Sequence, residues 1–185
     1  MKRLFCILLL SATISIILES FVLKSSEKTT SEKIHWYTFQ EAVELNKKNP
    51  KKLYIDVYTD WCGWCKKMDA STFTNPVIIK DMNKYYYAVR LNAEMKDTIV
   101  FQNHTFVNQQ PNIERSVHDL ASALLNGQMG YPTAVYMDEN YAIISPMPGY
   151  QTPEALEPIL VFIGENKSQE NKYEDFLKTF KSEIK

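Results

Sequence analysis

The sequence predicts an α/β domain in which helices flank a mixed central sheet. Three observations support this fold class. Apolar segments typical of strands occur at 53–58, 86–92 and 133–137. Helical patterns lie between the first two of these segments, as in parallel strands joined by a crossover. A turn at Asp138-Glu139-Asn140 then separates two strand patterns closely enough for antiparallel pairing.

The first 24 residues are typical of a signal peptide or an N-terminal membrane anchor. Met1-Lys2-Arg3 is basic, and the stretch from Leu4 to Leu18 is largely apolar. A run of about 15 residues is long for a signal-peptide core and short for a membrane span. No clear small-x-small cleavage triplet follows it, so both interpretations stay open. Residues 25–33 form a polar linker, and we expect the domain behind it to be exported.

Three helix starts are marked by capping residues. Thr38 and Glu41 form a capping box, whereas Asn75 and Thr152 each precede a proline, which suits the first helical position. The elements predicted in the first half are a strand at 34–36, a helix from Phe39 that ends at Asn49-Pro50, the strand at 53–58, a helix that starts at the motif described below, a helix from Pro76 to about Lys84, and the strand at 86–92.

Residues 95–111 are predicted as a hairpin insert, because two short apolar segments flank Gln102-Asn103-His104. The predicted domain spans residues 34–164, and residues 165–185 form a helical extension. The elements predicted after the insert are a helix with the apolar face Ile113, Val117, Leu120, Ala121 and Leu124, the strand at 133–137, a strand from Tyr141 to Ser145, a helix from Pro153 to about Phe162, and a C-terminal helix with Tyr173, Phe176, Leu177 and Phe180.

The chemistry of the chain is concentrated in Trp61-Cys62-Gly63-Trp64-Cys65, directly after the 53–58 strand. Two cysteines three residues apart at a helix start lie one turn apart on one face, close enough to bridge. The helix N-terminus favours the thiolate of Cys62, which makes it the expected nucleophile. Cys65 lies one turn inside the helix and is expected to be more shielded. The pair therefore predicts a dithiol redox site.

The motif resembles the active site of the thioredoxin family, in which Trp-Cys-x-x-Cys-Lys follows a buried strand. Asp56, six residues before Cys62, matches the buried acid that accepts the proton of the inner cysteine in that family. Its alternative interpretation is a carboxylate at an edge or turn. Tyr131-Pro132-Thr133 matches the cis-proline loop that faces the dithiol. The resemblance implies a thioredoxin-like fold with catalytic Cys62, Cys65 and Asp56.

The resemblance also implies how substrates would bind. The backbone of Tyr131, before a cis Pro132, would hold an extended substrate chain by strand addition, with Thr133 beside it. Trp61 and Trp64 would form an apolar surface around the cysteines, with Gly63 between them. The predicted substrates are disulfide-containing proteins.

The Gly63-Trp64 dipeptide resembles that of exported bacterial thioredoxin-like proteins, which implies a periplasmic location, free or anchored to the inner membrane. A membrane thiol relay is then the implied electron donor. The strongest oxidants of the family carry histidine in this dipeptide, so its absence favours a reductase. The sequence contains no nucleotide-binding fingerprint, and we predict no cofactor.

Other uses of the two cysteines fit the sequence less well. Structural zinc needs about four ligands, and His35, His104 and His118 are scattered, so no metal is predicted. A c-type haem needs histidine where Lys66 stands. A disulfide closing so short a loop would stabilise little, and a peroxidase of this fold would use a different cysteine motif. The alternative function is a non-catalytic binding module that uses the insert at 95–111.

The charge of the chain bears on one class of partner, nucleic acids. Its 21 basic and 22 acidic residues nearly balance, giving a formal net charge of −1. Nothing in this balance indicates a nucleic-acid partner, and none is predicted.

Overall fold

The computed structural model describes residues 33–169 and 171–185, so the predicted leader and almost all of the predicted linker lie outside the described residues. The strands are β1 (Trp36–Tyr37), β2 (Lys52–Tyr58), β3 (Tyr86–Asn92), β4 (Ile99–Phe101), β5 (His104–Phe106), β6 (Thr133–Met137) and β7 (Ile143–Pro148). The α-helices are α1 (Phe39–Lys48), α2 (Gly63–Ala70), α3 (Pro76–Tyr85), α4 (Asp119–Leu124), α5 (Pro153–Gly164) and α6 (Tyr173–Thr179), with 3₁₀ turns at Thr72–Thr74 and Lys167–Gln169.

Five strands form a mixed sheet in the order β1-β3-β2-β6-β7. The central strand β2 pairs in parallel with β3, with Asp56 opposite Arg90, and antiparallel with β6, with Val57 opposite Thr133. The edges are β1, only two residues long, and β7. The predicted fold class and the parallel pair joined by helices are therefore confirmed.

Two hydrophobic cores lie on opposite faces of the sheet because side chains alternate along β2. Leu53, Ile55 and Val57 belong to one core, with residues of α1 and α4. Tyr54 belongs to the other, with Met68 of α2 and residues of α3 and α5. Asp56, two positions after Tyr54, therefore lies on the face that α2 covers.

The three predicted caps are present. The Thr38 hydroxyl accepts a hydrogen bond from the Glu41 amide at 3.2 Å, and the Glu41 carboxylate accepts one from the Thr38 amide at 2.8 Å. Asn75 accepts from the Val77 amide at 2.9 Å, and Thr152 accepts from the Ala155 amide at 3.3 Å. These side chains satisfy amides that the first helical turn leaves without partners.

The helix predicted from Ile113 to Leu124 is wrong in its first half. Only Asp119–Leu124 is α-helical, and the Ile113 side chain is 62% exposed. The buried His118 caps the helix, because its Nδ1 accepts a hydrogen bond from the Leu120 amide at 3.1 Å. Upstream, Arg115 has a φ of +62°, which a helix does not allow.

Two strand predictions are shifted. The first strand covers Trp36–Tyr37 rather than 34–36. The strand predicted from Tyr141 covers Ile143–Pro148, because Tyr141 has a φ of +67° and still belongs to the turn. The Asp138 carboxylate holds that turn by accepting from the Ala142 amide at 2.8 Å.

The predicted insert contains a hairpin formed by β4 and β5. Its turn has two residues, Gln102 and Asn103, with φ values of +49° and +63°, so His104 belongs to a strand. Ile99 is buried, and the Phe101 ring lies 5.0 Å from the ring of Phe39 in α1. The hairpin is thus packed onto the domain.

The predicted C-terminal helix is present as α6. Its Tyr173 and Phe176 rings each lie 5.1 Å from the ring of Phe162 in α5. Leu177, predicted to lie on the apolar side, is 43% exposed. No helix within the described ranges is both long and apolar enough to cross a membrane.

Gly164 is required by a close approach of α5 to α3. A Cβ added there would lie 2.5 Å from Cγ of Tyr85. We expect Gly164→Ala to destabilise the fold by about 1–3 kcal/mol, the usual cost of overpacking. Chemical denaturation would measure this. Gly130→Ala is the control, since its added Cβ meets no atom within 4 Å. Equal effects of the two substitutions would contradict the packing argument.

Candidate active site

Cys62 and Cys65 form a disulfide across the first turn of α2, with their Cα atoms 5.3 Å apart. Cys62 is the N-cap of this helix, with extended backbone angles. Its Sγ accepts a hydrogen bond from the Cys65 amide at 3.0 Å. The first turn of α2 contains no acidic residue. An amide directed at the sulfur and the positive end of a helix are the features that favour a thiolate at a helix N-terminus in general.

The two cysteines are nearly equally buried, at 5% and 4% exposure. In the disulfide form, the expected greater shielding of Cys65 thus amounts to almost no difference in exposure. Their difference lies in position, because Cys62 caps the helix and Cys65 lies inside it. Gly63, between them, is exposed, and a Cβ built on it would meet no atom within 4 Å. The surface is therefore open at Gly63.

Asp56 is buried, with 1% of its surface exposed, which excludes the alternative of an edge or turn carboxylate. Burial raises the pKa of its carboxyl to about 7, against the lowering effect of Arg90 and with a smaller raising effect of Asp69. Oδ1 of Asp56 has no hydrogen-bond partner among the described residues. Such a carboxyl can take up or release a proton near neutral pH.

Arg90 is the charged partner of Asp56 and was not predicted from the sequence. Its Nε lies 3.2 Å from Oδ2 of Asp56. Its two terminal nitrogens donate to the two carboxylate oxygens of Asp69. The guanidinium carbon also lies 4.3 Å from the ring centre of Tyr58 and 5.2 Å from that of Trp36. The parallel register of the two predicted strands, once known, would have placed Arg90 beside Asp56.

The Tyr131–Pro132 peptide bond is cis, as the resemblance implied. Thr133 follows as the first residue of β6, and its hydroxyl donates to the Gly130 carbonyl at 2.8 Å. Because Thr133 is opposite Val57, this loop lies at the end of β2 from which the chain continues to the cysteines. The structure thus brings the predicted loop to the carboxyl end of β2, the end of the sheet at which the dithiol lies.

Four rings form an aromatic collar beside the dithiol, and they belong to Trp61, Trp64, Tyr131 and Tyr150. Trp61 and Trp64 are 50% and 57% exposed. The Trp61 ring lies 5.9 Å from that of Tyr131, and the Trp64 ring lies 5.5 Å from that of Tyr150. Apolar surface of this kind, exposed next to a reactive group, is suited to contact with a polypeptide.

Charged side chains hold the collar in place, and none of them was predicted from the sequence. Glu94 accepts a hydrogen bond from Nε1 of Trp61 at 2.7 Å. Arg115 places its guanidinium carbon 5.0 Å from a Trp61 ring centre. Lys67 places its Nζ 4.6 Å from a Trp64 ring centre and 5.0 Å from that of Tyr150. The spacing of Lys67 from Trp64 on one helix was the available signal for the last contact.

The described residues include no group of three or more His, Cys, Asp or Glu side chains arranged to hold a metal ion. His118 lies in the helix cap, with its Nε2 2.9 Å from the Asp97 carbonyl. The histidine is therefore used structurally.

The protein has a thioredoxin fold, and this fold carries a Cys-x-x-Cys pair. A family model described as a thioredoxin-like domain matches residues 39–164, more than half of the chain. The chain belongs to this family. A cysteine pair at disulfide distance in such a fold fits a thiol–disulfide oxidoreductase.

Similar solved structures share the fold at low sequence identity. The structure described as DsbH oxidoreductase is 18% identical, with a TM-score of 0.51, covering 85% of this chain and 94% of that one. A thioredoxin-fold protein from Helicobacter pylori is 21% identical, with a TM-score of 0.53 and coverages of 70% and 80%. A thioredoxin from Thermus thermophilus is 12% identical, with a TM-score of 0.52 and coverages of 71% and 87%.

A curated relative from Caenorhabditis elegans, described as "Uncharacterized protein B0495.5", is 30% identical over 67 residues. The matched segment is 36% of this chain and 9% of that protein. The chain thus matches only a small part of the relative's length.

Proposed function

We propose that the protein is a thiol–disulfide oxidoreductase that reduces disulfides in protein substrates outside the cytoplasm. The observation that carries this proposal is the Cys62–Cys65 disulfide across the start of α2, with the buried Asp56 on the face of the sheet that α2 covers. A disulfide that closes so short a loop contributes little stability, so its use lies in being opened and closed.

The exchange begins when the Cys62 thiolate attacks one sulfur of a substrate disulfide. The substrate S–S bond breaks, the second substrate sulfur leaves as a thiolate, and a mixed disulfide with Cys62 forms. Cys65 then passes its thiol proton to Asp56 and attacks the Cys62 sulfur. The Cys62–Cys65 disulfide closes, and the substrate leaves with two more electrons.

A second dithiol must reduce the Cys62–Cys65 disulfide before the next turnover. The proposed donor is a membrane thiol relay, and the proposed location is the periplasm. Both rest on the basic and apolar residues at the start of the chain and on the resemblance of the Gly63-Trp64 dipeptide. The proposed direction of the reaction, reduction of the substrate, rests on the same dipeptide. This dipeptide supplies no cation to over-stabilise the Cys62 thiolate.

The reduction potential of the Cys62–Cys65 pair tests both the class of protein and the direction of the reaction. Thiol trapping across a glutathione or dithiothreitol series would measure it. We expect a value near the thioredoxin end, roughly −270 mV. A value near roughly −120 mV would identify an oxidant that installs disulfides. If the two cysteines formed no disulfide at any redox potential in the series, the redox function would be refuted.

The double variant Cys62→Ala, Cys65→Ala separates the proposal from the alternative of a binding module. The observation that supports such a module is the exposed Val100 of the hairpin, which is 65% exposed while its neighbour Ile99 is buried. Loss of the biological task in the double variant supports exchange chemistry. A fully active double variant would favour binding through the insert.

Trp64 of the aromatic collar is expected to matter for polypeptide substrates and not for small ones. We expect Trp64→Ala to lower kcat/KM for a disulfide-containing protein about tenfold, as for an exposed aromatic anchor. The rate with a small disulfide should stay near wild type, because the cysteines are unchanged. Ile144→Ala is the control, since Ile144 is 39% exposed near the end of β7 away from Pro132. An equal loss with both substrates would place Trp64 outside substrate binding.

A further inference from the structure

The Arg90 guanidinium is shared between two carboxylates. Its Nε contacts Oδ2 of Asp56 at 3.2 Å. Its terminal nitrogens form a bidentate pair with Asp69, with one Nη to Oδ2 distance of 3.2 Å. Bidentate pairing of guanidinium and carboxylate fixes geometry as well as charge. Two of the three nitrogens of Arg90 therefore bond to Asp69, and the third, Nε, forms an ion pair with Asp56.

Asp69 and Cys65 lie on the same helix, four residues apart and thus on one face of α2. Arg90 and Asp56 are Cα partners in the parallel strands β3 and β2. Asp69 therefore links the helix that carries the resolving cysteine to the pair of strands that carries its proposed proton acceptor. The mechanism proposed above uses neither Arg90 nor Asp69.

The surroundings of the Arg90 side chain leave it little freedom to contact other residues. The rings of Tyr58 and Trp36 lie beside its guanidinium, and its side chain is 24% exposed. The Asp56 side chain is 2% exposed, whereas that of Asp69 is 40% exposed. The buried acid thus meets the cation through a single nitrogen, and the more exposed acid holds the rest.

We propose that Asp69 is a positioning residue for the exchange reaction. By binding both terminal nitrogens of Arg90, it limits the contact of the guanidinium with Asp56 and sets how readily Asp56 takes the proton of Cys65. This inference rests on the proposed function. An Asp56 exposed to the full charge of Arg90 would stay ionised and bind a proton poorly.

The groups that act on the Asp56 carboxyl are few. Arg90 of β3 lowers its pKa, and Asp69 of α2 raises it. Tyr54, on its own strand, interacts with it electrostatically, and so does Tyr58. The strand on the other side, β6, places Ala134 opposite Asp56. Removal of the Asp69 charge therefore leaves Arg90 as the dominant charge beside Asp56.

The test is a carboxyl-carbon NMR titration of Asp56 in the oxidised full chain, assigned by the signal that Asp56→Asn removes. We expect Asp69→Asn to lower the midpoint by roughly one pH unit, because a nearby like charge is lost. Asp69→Glu keeps the charge and should stay close to wild type. Asp60→Asn is the matched control, since Asp60 lies in the neighbouring turn and is not among the charges that shift Asp56.

An unchanged Asp56 midpoint in Asp69→Asn, or an equal shift in Asp69→Glu, would overturn the proposal. Asp69 would then only connect α2 to β3 through its ion pair with Arg90. Asp69→Ser serves as the second variant if Asp69→Asn does not fold. The pH profile of mixed-disulfide resolution should move in the same direction as the titration. Because the titration needs neither substrate nor turnover, its failure is distinguishable from a failure of the proposed function, which the reduction potential tests.

Discussion

Replacement of Cys65 by serine is expected to turn the protein into a trap for its substrates. Cys62 still attacks a substrate disulfide, but no second thiol is placed to release the product. Intramolecular attack has a very high effective concentration, so turnover should fall by on the order of 10³-fold or more. Mass spectrometry of a non-reduced mixture with a disulfide-containing polypeptide would detect the mixed disulfide through Cys62.

The matched variant is Cys62→Ser, which keeps the thiol of Cys65 and removes the N-cap thiol. We expect it to form no adduct, because Cys65 lies inside the helix whereas Cys62 is its N-cap, the position proposed for the nucleophile. Adducts formed equally by both variants would show that the two cysteines are interchangeable. The order of steps proposed for the exchange would then be wrong.

Asp56→Asn is expected to slow the release of product from the mixed disulfide at neutral pH. Positioned proton acceptors contribute on the order of 10²-fold or more, so a loss of that size is expected. The deficit should shrink as the pH rises toward the pKa of a free thiol, since solvent then removes the proton of Cys65. Stopped-flow measurement across pH would show it. A constant deficit at every pH would contradict proton transfer by Asp56.

The same substitution should stabilise the oxidised protein at alkaline pH. The pKa of Asp56 is raised from 3.8 to about 7 in the folded state. Between these values the unfolded chain has released a proton that the folded protein keeps, so stability falls as the pH rises. Asparagine removes this loss, and the gain over wild type should grow between about pH 4 and pH 8, by up to roughly 4 kcal/mol. Denaturation at the two pH values would measure it, with Asp60→Asn as the control.

Much of the fold follows from local signals in the sequence. The capping box at Thr38 and the prolines after Asn75 and Thr152 predict their helices because the caps act within one turn. The strand before Cys62 is predicted by the alternation of Leu53, Ile55 and Val57 with the residues between them. The helix predicted from Ile113 fails because apolar spacing alone does not show that His118, rather than an upstream residue, starts the helix.

The candidate site was predictable only where one segment carries it. Cys62, Cys65 and Asp56 lie within ten residues, and their order in the chain marks them. Arg90, Asp69 and Glu94 join the site through strand register and helix packing, which a single sequence does not reveal. The electrostatic environment of Asp56 is therefore a property of the folded chain.

The two edges of the sheet determine whether an extended polypeptide can add to the sheet as a further strand. An unpaired strand edge offers amides and carbonyls to any passing polypeptide. Here one edge strand is two residues long, and the other, β7, contains Pro146 and Pro148, which have no amide hydrogen to donate. Neither edge is a good template for a further strand. In the proposed exchange reaction, we therefore expect a substrate to pair its backbone with the Tyr131–Pro132 loop rather than with either edge of the sheet.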